Sequence, residues 1–345
     1  MRQGARFCLA LLFLLSLCVL RTSSLAQEAQ PLRLVQTIPM PNVKGRIDHM
    51  DVDVKDRSLF VAGLENSSVE VVDLKAGKWV RSIPGFQKPQ GIAYVAALDK
   101  LFVASGDDAM VRVFRGRSLD LLASIQLGHG PNRVAYDPHR KLLYVGYDGA
   151  NASKDHGEIG IIDARQDKHL ADIAVGGHPA ELLLTKSGQT LYAFLPVVGK
   201  IQVVDLRKRQ LGPAWQVNSQ RPGDGALDES TERLIIGTRT PPLMVAMDAL
   251  RGKEIANLPT VEGMDGVYFD AAHRRVYVSG GRGFDVGYIF AYQQKDADHY
   301  EFLGKIPTSP GAGTSFWSPQ LDRYFVAAPA HDGKDAAILV FEPVH

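Results

Sequence analysis

Leu59-Phe60-Val61 returns as Leu101-Phe102-Val103 and as Leu143-Tyr144-Val145. In looser form it returns again as Leu191-Tyr192-Ala193, Leu234-Ile235-Ile236, Val276-Tyr277-Val278 and Tyr324-Phe325-Val326. The steps between successive copies are 42, 42, 48, 43, 42 and 48 residues. Around the first copy the pattern is that of strands. Residues 47–54 (IDHMDVDV) alternate apolar and polar, as a half-buried strand does. Asp56-Arg57 reads as a turn, and residues 59–62 form a near-continuous apolar run suited to a strand packed on both faces. Glu65-Asn66 is a polar turn before residues 69–74 (VEVVDL), and Ala76-Gly77 turns the chain into residues 78–84 (KWVRSIP). Seven copies of a four-stranded unit at this period predict an all-β chain, a seven-bladed β-propeller.

The two ends of the repeat array complement one another. Copy seven ends with residues 337–341 (AILVF), its third strand, and lacks a fourth. Residues 32–39 (LRLVQTIP) precede copy one and resemble the fourth strands of the other copies. The N-terminal strand is therefore predicted to complete the last blade, which removes the exposed edges of an open array. Asp73, Asp205 and Asp248 lie 14 residues after the start of their strings and are expected to cap the following turn. Asp163 lies 20 after its own, placing a six-residue insertion in the loop spanning residues 147–158. Copy six is longer by the same amount, with the extra residues expected after its third strand, around residues 293–299. Trp79, Trp215 and Trp317 occupy different strand positions and read as packing between blades.

Residues 1–26 read as a secretory signal peptide. Arg2 and Arg6 make a basic start, residues 7–20 are a largely apolar run, and Ser24-Leu25-Ala26 offers small residues at a cleavage site. The run is short for a membrane span. Residues 27–345 then form a single propeller domain, soluble in the periplasm or outside the cell, with no membrane span in the mature chain. Removal of the leader takes away Arg2, Arg6 and Arg21, so the formal net charge falls from +1 to −2. Both cysteines, Cys8 and Cys18, leave with it. The mature chain thus has no disulfide, no thiol nucleophile, no thiolate metal site and no covalent haem. A near-neutral chain without a basic cluster gives no support for nucleic acid as a partner. Asn66-Ser67-Ser68 and Asn151-Ala152-Ser153 match the glycosylation acceptor pattern.

Leu142-Leu143-Tyr144-Val145, residues 158–163 (EIGIID) and residues 170–181 (LADIAVGGHPAE) together resemble the YVTN-repeat β-propeller family. The resemblance runs over residues 32–341, nearly the whole mature chain. It implies an exported or cell-surface seven-bladed propeller and carries no assigned activity. Most copies here lack the asparagine that usually follows the family's second-strand string, and copy four reads LYAFLP. No asparagine-based site is carried over.

In a propeller the first strand of each blade lines the central channel. The loops leading into those strands share one face with the loops between second and third strands, and ligands occupy the funnel there. Copy one places Arg46, Asp48 and His49 at that face, copy two Gln90, and copy three His129, Asn132 and Arg133. Copy four contributes His178 and Glu181, copies five and six Asp224 and Asp265, and copy seven Thr314 and Ser315. Asp107, Tyr147, Arg239, Arg282 and His331 are candidates from the loops between second and third strands. The residues differ in every copy, whereas a purely structural position could repeat. The leading reading is a binding module whose polar funnel takes a small molecule or a protein loop, with no cofactor assigned. The alternative is an enzyme, either a metal-assisted lactone hydrolase or a lyase. His49, His178, Glu181, Asp224 and Asp265 would hold the divalent metal, or His49 or His178 would act as general base.

Overall fold

The computed structural model describes residues 30–149 and 156–344, and in it the recurring strings are the second strands of seven antiparallel four-stranded sheets. Blade 1 is built of Met50–Asp53, Ser58–Gly63, Ser68–Asp73 and Lys78–Pro84. The inner strands of blades 2 to 6 are Pro89–Val95, Val134–Asp137, Glu181–Leu184, Gln220–Asp228 and Met264–Asp270, and blade 7 starts at Ser315–Ser318. Inner strands of adjacent blades touch all round, the last against the first. Residues 1–26, expected to be a leader, lie outside the described residues. Among those described the one helical element is a 3₁₀ turn, Ala96–Leu98, and no helix is long and apolar enough to cross a membrane.

The second strands are continuous in apolar residues because both their faces are covered. Leu59, Phe60, Val61 and Ala62 are at most 1% exposed. Burial of each leucine, phenylalanine or valine side chain contributes about 1.5–3 kcal/mol. Among the described residues these side chains gather into seven clusters, each shared by two neighbouring blades. The cluster between blades 7 and 1, for example, joins Ile338 and Val340 to Leu59 and Val61. The tryptophans take part as expected. Trp79 packs between blades 7 and 1, Trp215 between 4 and 5, and Trp317 between 6 and 7.

The N-terminal strand does close the ring. Leu32–Met40 pairs antiparallel with Ala336–Pro343, from Leu32 opposite Pro343 to Met40 opposite Ala336. Its Leu32, Ile38 and Met40 are at most 1% exposed. Arg33 forms an ion pair with Glu342, and the Val344 amide donates to the Pro31 carbonyl at 3.1 Å.

The turn aspartates behave as expected. Asp73 accepts from the amides of Lys75 and Ala76, Asp163 from Arg165 and Gln166, Asp205 from Arg207 and Lys208, and Asp248 from Leu250 and Arg251. Copy six departs from expectation. Its third strand is Tyr288–Gln294, and Gln293 stands opposite Arg275 where Asp73 stands opposite Ser58. Half of the insertion therefore precedes the third strand, in the loop spanning residues 281–287. Gln293 turns to the residues just before the second strand, donating from Nε2 to the carbonyls of His273 and Arg274 at 3.0 and 2.9 Å, and the turn after the third strand is capped by Asp296, which accepts from the amides of Asp298 and His299. Of the two acceptor-pattern asparagines, Asn66 is engaged with Lys44 and Ser68, and Asn151 lies outside the described residues.

Candidate functional site

Strand pairing puts one residue of each blade at a single level of the channel, opposite the residue that follows the recurring string. In blade 1 it is His49, whose carbonyl accepts from Ala62 N at 2.9 Å. In blade 3 it is Arg133, whose carbonyl accepts from Gly146 N at 2.9 Å, and in blade 7 Thr314, with Ala327 N at 3.0 Å. Glu181 stands opposite Phe194 in blade 4, and Asp224 opposite Gly237 in blade 5. Blade 6 reaches the level with Asp265, in a register shift between Met264 and Gly266. In blade 2 the level is held by Gly91, inside a register shift between Pro89 and Ile92. No side chain fits there, because a Cβ on Gly91 would lie 1.9 Å from the Asn132 carbonyl oxygen. Gln90, one residue earlier, points elsewhere, with its Nε2 3.4 Å from the Pro131 carbonyl.

Arg133 is the hub of this level. Its Nε donates to Glu181 Oε1 at 2.6 Å and its Nη2 to Glu181 Oε2. Nη2 also reaches Asp224 Oδ1 at 3.4 Å, and Nη1 meets His49 Nδ1 at 2.6 Å. The bare Gly91 between blades 1 and 3 leaves the path from Arg133 to His49 open. Burial opposes the guanidinium charge, but Glu181 and Asp224 outweigh it and hold Arg133 firmly protonated. Burial and then the Arg133 charge push the His49 imidazole below its ordinary value, against Asp48, Asp224 and Asp265. His49 is therefore a neutral acceptor and a weak base. Burial and the adjacent Glu181 raise Asp224 well above the usual carboxylate range. Along the inner strands beyond this level lies a cavity of about 290 Å³, lined by Asp51, Tyr94, Tyr136, Leu183, Tyr268 and Phe316 among others. Burial raises the Asp51 carboxyl there to about 6, although it accepts from the amides of Tyr94 and Val52.

A second centre forms at Asp265, on the loop side. Arg239 Nη2 donates to its Oδ1 at 2.7 Å, and Thr314 Oγ1 to its Oδ2 at 3.3 Å. Arg46 Nη2 lies 3.4 Å from Oδ2, and Arg282 Nη1 lies 3.3 Å from both oxygens. Burial works against the charge on Asp265, but Arg239, Arg46 and Arg282 together hold it below the ordinary range. Asp48, buried beside it, takes Arg46 Nη2 at 3.2 Å. Glycines make room for two of these arginines. A Cβ on Gly223 would stand 3.0 Å from Arg239 Cζ, and one on Gly313 would stand 3.0 Å from Arg282 Cβ.

A third group lies to one side, over blades 2 to 4. His178 Nδ1 meets Asp148 Oδ1 at 2.7 Å, and its Nε2 meets Asn132 Nδ2 at 3.2 Å. With Lys88, Gln90, Asp107 and His129 they line a cleft of about 440 Å³. The leading sequence candidates thus divide. His49, Arg133, Glu181 and Asp224 meet at the hub. Asp48, Asp265 and Thr314 meet beside it, while Gln90, Asn132 and His178 face the lateral cleft. The five residues considered as metal ligands do not converge: Arg133 takes the place a cation would fill among His49, Glu181 and Asp224. Among the described residues no group of three or more His, Cys, Asp or Glu is disposed to hold a metal ion.

Seven radially arranged blades with a polar centre define the chain as a seven-bladed β-propeller, and its structural relatives agree. It matches a chain of Kuenenia stuttgartiensis hydrazine synthase with TM-score 0.72 at 17% identity, over 86% of this chain and 97% of that one. It matches a chain of a mitotic checkpoint complex with TM-score 0.75 at 13% identity, over 98% of this chain and 99% of the other. At such identities the likeness is one of fold alone. In sequence, 145 residues are 26% identical to Antigen Lp49 of Leptospira interrogans serogroup Icterohaemorrhagiae serovar copenhageni (strain Fiocruz L1-130). That match spans 40% of this chain and 30% of the antigen. No protein-family profile matches the chain.

Proposed function

We propose that the chain is an exported propeller of the YVTN type that works as a binding module, holding a small ligand at the mouth of its channel. The observation that carries this reading is the channel level itself. Six of seven blades present a polar side chain there, and their identities differ: His49, Arg133, Glu181, Asp224, Asp265 and Thr314. A level kept only for packing would tolerate one repeated residue. This one is a specific arrangement of fixed charge that a ligand's polar groups can match. The hub spans the channel, so a ligand is met at the funnel and not passed through. A loop of a partner protein is the other occupant this surface would suit.

An enzymatic second reading rests on one pair. Asp148 beside Nδ1 of His178 is the arrangement that orients an imidazole for general-base work, as in a lyase. The hydrolytic version, through a metal, has no such pair behind it.

Ligand-observed NMR screening of the purified chain against neutral, cationic and anionic metabolites tests the binding reading. Hits should be displaced from wild type by one another and weakened in Asn132→Ala or Arg282→Met. A chain that binds nothing in the screen, or whose hits ignore every funnel variant, refutes it. Turnover of a hit that vanishes in His178→Ala would favour the enzyme. Export is tested by N-terminal sequencing of the protein recovered from its own host: a start near Gln27 is expected, and an intact Met1 in the cytosol contradicts it.

A further inference from the structure

We infer that the mouth selects a compact oxyanion, a carboxylate or phosphate borne by a small solute, and that Arg46, Arg239 and Arg282 receive it. The inference rests on the funnel reading and specifies its ligand.

Three guanidinium groups converge here on one buried carboxylate, and the distances show that they are not all needed by it. Arg239 makes the short bond to Asp265, 2.7 Å, and anchors itself through Nε on the Met264 carbonyl at 3.2 Å. Arg46 and Arg282 reach Asp265 only at 3.3–3.4 Å. Arg282 commits Nη1 alone, so its Nε and Nη2 have no partner among the described residues, and its side chain is 43% exposed. Arg46 Nε is buried with no hydrogen-bond partner among the described residues. A buried unpaired donor is costly, and a charged one more so, unless something else completes it.

The local charge points the same way. Arg46, Arg239 and Arg282 face Asp48 and Asp265, which leaves one positive charge in excess. Glu181 and Asp224 below do not supply the missing anion, since Arg133 already takes them up. Register places the trio on the loop side of the hub. Arg46 precedes His49 in the loop leading to blade 1, and Arg282 sits in the loop between the second and third strands of blade 6. An oxyanion accepting from the uncommitted Nε and Nη2 of Arg282, with the part-exposed Arg46 beside it, would satisfy the Arg282 donors and neutralise the mouth. Paired guanidinium edges are suited to carboxylate and phosphate, whose oxygens accept two parallel bonds.

The test is isothermal titration of the full chain with inorganic phosphate and with citrate, at ionic strength held constant with sodium chloride. Saturable binding of either is expected, weakened about tenfold or more in Arg282→Met. That variant leaves Asp265 paired with Arg239 and Arg46, so thermal unfolding should show the fold intact. Phosphate binding without citrate binding would assign a phosphate-bearing solute, and the converse a carboxylate. Equal affinity in wild type and Arg282→Met, or no binding of either anion at about 10 mM, overturns the inference. A neutral screening hit that is lost in Asn132→Ala but indifferent to phosphate and to Arg282→Met would sink the oxyanion and leave the funnel reading standing.

Discussion

Replacing Arg133 by methionine removes the one group that reconciles three blades at the channel centre. The guanidinium spans Glu181, Asp224 and His49, and the Glu181 side chain is only 2% exposed. Removing one partner of a buried ion pair leaves the other uncompensated, at about 3–5 kcal/mol. Methionine fills most of the stem volume, so a cavity term adds little. At roughly 2 °C per kcal/mol for a domain of this size, the melting temperature should drop on the order of 6–10 °C at pH 7. The loss should be smaller at pH 5. Asp224 is already raised by burial and Glu181 and lowered by Arg133, so loss of that charge raises it further, and its contribution is full in acid and lost as pH rises. A second variant, Arg133→Met with Glu181→Leu, exchanges both charges for apolar groups and should recover most of the loss. Urea denaturation of the three proteins at pH 5 and pH 7 reads all of this. A single variant within about 1 kcal/mol of wild type at pH 7, or a double variant no better than the single, would refute the hub as described.

Other expectations follow from the same geometry. Deleting residues 30–40 strips the outer strand from blade 7 and uncovers Leu32, Ile38 and Met40, so cooperative unfolding should broaden or vanish; an unchanged calorimetric transition counts against ring closure by this strand. The Asp51 carboxyl should titrate near 6 by carbon-detected NMR, since burial in the channel disfavours its charge; a midpoint near 4 would mean the channel is wetter than its lining implies. Because that pKa is raised on folding, the Asp51 contribution is full in acid and lost as pH climbs through about 6.

The blades were legible because their second strands are buried on both faces, which forces an apolar string at each turn of the repeat. Ring closure was legible for a similar reason: residues 32–39 had no partner and copy seven lacked a strand. The insertion in copy six was misplaced because Gln293 replaces the aspartate that marks the end of the third strand elsewhere. The capping aspartate of that turn is Asp296, three residues later, which accepts from the amides of Asp298 and His299. At the site, sequence position alone found the channel level in every blade but the second, where it offered Gln90. It could not find the convergence of Arg133 with His49, 84 residues away, or with Glu181, 48 away. It also passed over Gly91, whose part is to lack a side chain. Arg46, Arg239 and Arg282 were recognisable as loop residues of the right face, but their meeting at Asp265 depends on three separate blades being brought side by side.

A crystal structure of the chain with a ligand obtained from unbiased screening would test the binding account most directly. The account predicts the ligand on the loop side of the channel, its oxygens within hydrogen-bonding distance of Arg46 and Arg282 and the Arg133 hub intact beneath it. A ligand seated on the outer strands or on the opposite face of the ring, with the mouth unchanged between free and bound forms, would contradict it.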